Sequence, residues 1–267
     1  MKKRMCKIVA VLVFACCLSL LVVACQETPV LKTTDGKWQY TLNEKKQDDG
    51  TTVKTVTLDA YLGDADIVVV PSQIDVDGVM VAVEKLGDGA FMKIDDGKGK
   101  WRDRETYAQN KTLKKVTISE GITAIGNMSF YLCSALTDVT LPQSLTEIGS
   151  FSFFGCTSLT EITFPKSVAS IGEYAFRACS ALVKVNVLAE EALPDIGDKA
   201  FYLVNEKSSD DDQYYISKDL KIYVPEAALP LYDANAIEAE RRQTKKNNHR
   251  YWSDYIKAGC IQALQAE

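Results

Sequence analysis

Leu136-Thr-Asp-Val139-Thr-Leu141-Pro142-Gln-Ser-Leu145-Thr-Glu-Ile148-Gly149-Ser-Phe-Ser-Phe153-Phe-Gly-Cys156 decides how this chain folds, because nearly the same residues return 23 positions to either side. Aligned on its first leucine, the neighbouring copies read Leu113-Lys-Lys-Val116-Thr-Ile118, Leu159-Thr-Glu-Ile162-Thr-Phe164 and Leu182-Val-Lys-Val185-Asn-Val187. The alternation of apolar and polar positions predicts a short strand with its apolar side inward. Pro142 and Pro165 end two of these strands, since proline has no N–H to give the next ladder bond. A second apolar pair follows, Ile122/Ile125, Leu145/Ile148 and Val168/Ile171, and then Gly126, Gly149 and Gly172. Glycine there is read as permitting a tight reversal. The Phe and Cys that come next, three apart, predict one helical or 3₁₀ turn with a single face inward. A unit this short cannot bury its own apolar side, so the copies must stack on one another.

Carried outward from the centre, the same offsets define two structural columns. Four residues after each glycine stand Phe91, Phe130, Phe153, Phe176 and Phe201. Seven after each stand Ile94, Cys133, Cys156, Cys179 and Val204, a column in which Cys substitutes for a small apolar residue. Stacked strands lie about 4.8 Å apart, a spacing that also admits disulfides. The apolar company favours a ladder of buried thiols, and three cysteines without a nearby histidine make a poor metal set.

The flanks differ in pattern. Trp38–Leu42 and Val53–Leu58 alternate around Asp48-Asp49-Gly50, and Ile67–Val70 and Val79–Val83 bracket Asp77-Gly78, two hairpin signals. These assign residues 37–85 to an N-terminal β cap and 86–225 to the repeats, with inserts at 95–110 and 205–219. Residues 25–36 are polar and read as a tether. Beyond the last strand at Leu220–Pro225, residues 226–267 space Leu229, Leu231, Tyr232, Trp252, Tyr255 and Ile256 as a helical cap over the open end of the stack.

At the other extreme, Met1-Lys2-Lys3-Arg4 precedes an uncharged, mostly apolar run from Ile8 to Ala24, the plan of a signal peptide over residues 1–24. Its end, Leu21-Val22-Val23-Ala24-Cys25, looks like a bacterial lipobox, with Cys25 as the lipidated first residue of the mature protein; an ordinary signal peptide or an uncleaved anchor is the alternative. Loss of Lys2, Lys3, Arg4 and Lys7 lowers Lys plus Arg from 31 to 27 against 36 acids, a net charge of −9. That charge argues against nucleic acid and anionic headgroups as partners.

The run from Leu136 to Cys156 resembles the repeats of the bacterial BspA-like cell-surface leucine-rich-repeat family, and the resemblance extends over about residues 67–225. It implies a right-handed leucine-rich-repeat solenoid of short parallel strands and 3₁₀ or helical turns. It also implies display at the bacterial cell surface and adhesion to host or matrix protein. The alternative is a structural or assembly lipoprotein that binds partners within the envelope.

In such a fold the residues between inward strand positions face outward on the concave sheet. Two rows of candidate binding residues follow: Thr117, Thr140, Thr163 and Asn186, and beside them Lys115, Asp138, Glu161 and Lys184. β-favouring threonine on a solvated face is the plain alternative. Trp101, between the basic residues of the first insert, is a candidate contact residue or a ring folded back on the cap. Ser208-Ser209-Asp210-Asp211-Asp212 in the second insert lacks the alternating ligands of a calcium loop. His249 is the single histidine, which excludes a multi-histidine metal site. No phosphate loop, HExxH or other cofactor signature is present. The expectation is a non-enzymatic binding protein without cofactor or metal, with a carboxylate-based hydrolase as the remote alternative.

Overall fold

The structure, a computed structural model, describes residues 30–94, 107–191, 194–204, 214–233 and 252–264. For Ile94, Tyr107, Val204, Tyr214 and Ser253 it describes the backbone alone. The signal segment, Cys25, Trp101, Asp210–Asp212 and His249 lie outside the described residues, as do most of both inserts.

The chain enters through β1 (Leu31–Lys32), β2 (Trp38–Lys46) and β3 (Thr52–Tyr61), then β4 (Ile67–Val70), β5 (Gln73–Val76) and β6 (Val79–Leu86). β1 pairs antiparallel with β2, so the stretch read as tether is already in a sheet from Leu31 onward. β2 and β3 form the expected hairpin around Asp49-Gly50. The second hairpin has a different partner from the one expected. Asp77 (φ 55°) and Gly78 (φ 84°) turn β6 back onto β5, with Val76 opposite Val79, while Ile67–Val70 pairs elsewhere. Two positive φ values in a two-residue loop match the twist of the strands, and this tight turn leaves only the nearer segment within reach.

β7 (Lys93–Ile94) and β8 (Tyr107–Ala108) close the base of the first insert as an antiparallel pair. The repeats then contribute two strands each: β9 (Lys115–Ile118) and β10 (Ala124–Ile125), β11 (Asp138–Thr140) and β12 (Glu147–Ile148), β13 (Glu161–Phe164) and β14 (Ser170–Ile171), β15 (Lys184–Val187) and β16 (Asp195–Ile196). β17 (Leu203–Val204) pairs antiparallel with β18 (Tyr214–Tyr215) at the base of the second insert. Both inserts therefore leave the stack at the same point of the repeat, seven residues after Gly87 and Gly197. β19 (Lys221–Val224), a 3₁₀ helix Glu226–Tyr232, an α-helix Trp252–Lys257 and β20 (Ile261–Ala263) complete the described chain.

The first strands of the repeats form two parallel ladders, β4-β9-β11 and β13-β15-β19-β20. The second strands continue a separate sheet in the order β1-β2-β3-β6-β10-β12-β14-β16, parallel from β3 onward. Val116 faces Val139 and Ile162 faces Val185 in register, as the 23-residue period requires. Each repeat sends Leu, Val or Ile and Phe inward to full burial, for example Leu113, Val116, Ile122, Ile125 and Phe130.

The repeat glycines are needed for a reason other than the expected one. Gly126, Gly149 and Gly172 do not have left-handed φ. A Cβ on Gly149 would stand 2.7 Å from the carbonyl carbon of Gly126, and one on Gly172 2.4 Å from the backbone nitrogen of Ser150. The second-strand backbones approach too closely for any side chain. The left-handed turn falls two residues later, at Gly89, Met128, Phe151, Tyr174 and Lys199, and again at Leu132, Gly155 and Ala178.

Candidate binding surface

Parallel registry aligns the outward positions of the first strands into a row within each ladder. Val69 faces Thr117, which faces Thr140; Thr163 faces Asn186, then Tyr223 and Gln262. Thr140 and Thr163 are exposed and Thr117 is half-buried. One row over, Lys115 Nζ lies 2.6 Å from Asp138 and Lys184 Nζ 3.0 Å from Glu161. All four are substantially solvated, so these pairs add little stability. Their effect is to leave the row nearly neutral.

Asn186 departs from the sequence reading, which had it facing solvent. It is buried, 7% exposed. Its Nδ2 donates to Glu161 Oε1 at 2.8 Å and to Thr163 Oγ1 at 2.9 Å. Because a carboxylate only accepts, the bond to Glu161 sets which end of the amide is nitrogen. Oδ1 is left buried without a hydrogen-bond partner. Lys184 Nζ also stands 6.0 Å from the centre of the Tyr223 ring. Glu161, Thr163, Lys184, Asn186 and Tyr223 thus form one connected polar cluster on the outward face. In sequence, Tyr223 stands out only as a residue of the last strand, Leu220–Pro225. Gln262 joins the row through β20, whose pairing nothing in the local pattern reveals.

The structural columns lie inside. Phe91, Phe130, Phe153, Phe176 and Phe201 stack face to face with centroids 4.9, 4.8, 4.9 and 5.3 Å apart. The Cys133, Cys156 and Cys179 side chains are free thiols, all buried. Cys156 Sγ donates to Phe130 O at 3.3 Å and Cys179 Sγ to Phe153 O at 3.1 Å, each reaching one repeat back. The column is therefore polar in one respect, since each thiol adds a second donor to a carbonyl that already accepts a backbone N–H, Phe130 O from Cys133 and Phe153 O from Cys156. Burial pushes the Cys133 and Cys156 thiols far above their ordinary range, the opposite of a nucleophile. Ile94 and Val204 lie on the insert-bearing strands β7 and β17.

A second aromatic series follows the same 23-residue spacing. Tyr131 and Phe154 stack at 5.0 Å, and Arg177 lies 5.7 Å from the Phe154 ring and 5.0 Å from that of Tyr174. All are half-buried. In sequence Tyr131, Phe154 and Arg177 fall on the same period, five residues after Gly126, Gly149 and Gly172. Among the described residues no three His, Cys, Asp or Glu side chains come together as a metal site.

Residues 103–210 match the family described as a BspA type leucine rich repeat region (6 copies). Over those residues the repeats are similar to BspA type leucine-rich repeats. Several solved leucine-rich-repeat proteins are similar to parts of this chain. One is the leucine rich repeat protein of T. pallidum, 25% identical, covering 73% of this chain and 71% of that one, with a TM-score of 0.47. Another, from Bacteroides capillosus, is 27% identical and covers 55% of this chain and 93% of that one, at a TM-score of 0.41. A leucine rich cell surface protein of Faecalibacterium prausnitzii is 21% identical, covering 75% and 72%, with a TM-score of 0.41. No curated protein matches the chain.

Proposed function

We propose that this chain is a lipid-anchored scaffold, held in a bacterial envelope through Cys25 and displayed outward, that binds a protein partner on the outward face of its first strands. The observation that carries the reading is Asn186. A buried acceptor without a partner costs about 1–3 kcal/mol. It lies beside the exposed hydroxyl of Thr163, and a partner that draws the amide outward would supply the N–H it lacks. The N-terminal strands and the C-terminal helix act as the caps that keep the stack soluble. Adhesion to a host or matrix protein suits outward display, and binding rather than catalysis suits a face whose charges are already paired.

Two measurements test this. Protease and antibody accessibility on intact cells, compared with lysed cells, distinguishes outward display from a role inside the envelope; protection until lysis sinks adhesion. Thr140→Lys with Thr163→Lys should then weaken capture on immobilised matrix proteins about tenfold or more while the fold persists. Unchanged capture removes the threonine face from the reading.

A further inference from the structure

The first ladder ends in an open strand. Backbone carbonyls of Asp66 and Val70 accept from Lys115 N and Ser119 N, so these groups of β4 point toward β9. Alternation along a strand then turns the N–H and C=O of Ile67 and Val69 to the opposite edge. No strand pairs there among the described residues. The side chains of Ile67 and Val69 are 60% and 62% exposed, and Met80 across the gap is 55% exposed. Meanwhile the other sheet continues past this level through β3, β2 and β1. The result is a step. It holds a groove of about 450 Å³ lined by Ile67, Val69, Ile74, Met80, Trp38 and Tyr61 among others.

We propose that this step is a strand-addition site: an extended partner segment pairs with the free edge of β4, with apolar residues at alternate positions and lysine or arginine between them. The backbone chemistry calls for a strand, since four main-chain groups on Ile67 and Val69 face the groove unpaired by any strand. The charge calls for a basic one. Of the charged residues that line the groove, Asp35 and Lys37 pair with each other at 3.5 Å, which leaves the carboxylate of Asp75. Asp64 and Asp66 are neutralised by Lys93 and Lys114. Asp75 lines the groove and only accepts from Gly78 N–H, and neither it nor Asp77 has an ion-pair partner among the described residues. The site is separate from Asn186 and does not rest on the reading given for the threonine face.

The test uses the full chain in detergent and a fluorescent peptide, acetyl-Lys-Val-Lys-Val-Lys-Val-Lys-amide, followed by anisotropy. Saturable binding is expected, weakening as salt rises because the contacts are solvated. N-methylation of the peptide backbone, and separately Val69→Lys, should each weaken it about tenfold. Thr140→Lys should leave it unchanged. The proposal is overturned if the peptide does not bind, if a glutamate-for-lysine peptide binds equally, or if Val69→Lys has no effect. Loss of binding in Thr140→Lys alone would move the peptide to the threonine face and also overturn it. Cross-linking of Val69→Cys to its own copy in a second molecule would identify self-pairing as the occupant instead.

Discussion

Ser129 and Ser152 occupy equivalent positions in successive repeats, both fully buried, yet their hydroxyls differ. Ser129 Oγ lies 2.8 Å from the carbonyl oxygens of Gly87 and Gly126 and donates to one of them, whereas Ser152 Oγ has no hydrogen-bond partner. Ser129→Ala should therefore cost about 1–2 kcal/mol, while Ser152→Ala should be neutral or mildly stabilising. Paired denaturant titrations check this; equal costs would mean the two hydroxyls are equally satisfied. The column is written in the sequence as Ala90, Ser129, Ser152, Ala175 and Ala200. Its smallness is legible there. Which hydroxyl finds a carbonyl depends on ångström-scale placement of the preceding turn. Asn186 illustrates the same limit: its spacing marks an outward position, and only the approach of Glu161 and Thr163 buries it.

At the scale of the repeat, the backbone assigns its glycines and left-handed residues to separate jobs. Gly172→Ala should cost about 3 kcal/mol or more, because a Cβ 2.4 Å from backbone cannot be relieved by rotating a side chain. Ala178→Gly should do the reverse. Ala178 holds φ 61°, a conformation costing about 1–2 kcal/mol in an L-residue, and the preceding repeat already has Gly155 at that place. A gain of up to about 1 kcal/mol is expected, reduced by the added freedom of the unfolded chain. Thermal unfolding of the two variants decides it; a stabilising Gly172→Ala would refute the close-approach account. In sequence both positions are simply glycine and small residues at fixed spacing. The spacing predicts that something is constrained there, and the inter-repeat distance decides what.

For the whole molecule, the stack of five phenylalanines ends against edge-on rings, Trp38 at 5.4 Å from Phe91 and Tyr255 at 5.6 Å from Phe201. Tyr255 Oη also accepts from Phe201 N at 3.0 Å. Tyr255→Phe keeps the ring and orphans that buried N–H, so it should lower stability by about 1–3 kcal/mol. An unchanged unfolding midpoint would show that the N–H finds another acceptor. Buried thiols give the molecule a pH dependence as well. Cys133 and Cys156 stay protonated in the fold but ionise when unfolded above about pH 8.5, so the unfolded state binds fewer protons there. Stability should be full below that pH and fall above it by about 1.4 kcal/mol per pH unit for each thiol. Flat stability between about pH 8.5 and 9.5 would contradict the burial.

The amino-acid sequence by itself determined the 23-residue unit, the inward leucines, the phenylalanine and cysteine columns and the necessity of stacking. Each follows from side-chain periodicity that a strand or turn expresses locally. The tertiary structure alone decided which strands end the ladders. Val69 meets Thr117 from 48 positions away, and Ile222 meets Ile261 across 39. Pairings of that separation depend on where a long connection returns, which no local pattern encodes. They leave β4 with an open edge at one end and bring β20 into the outward row at the other.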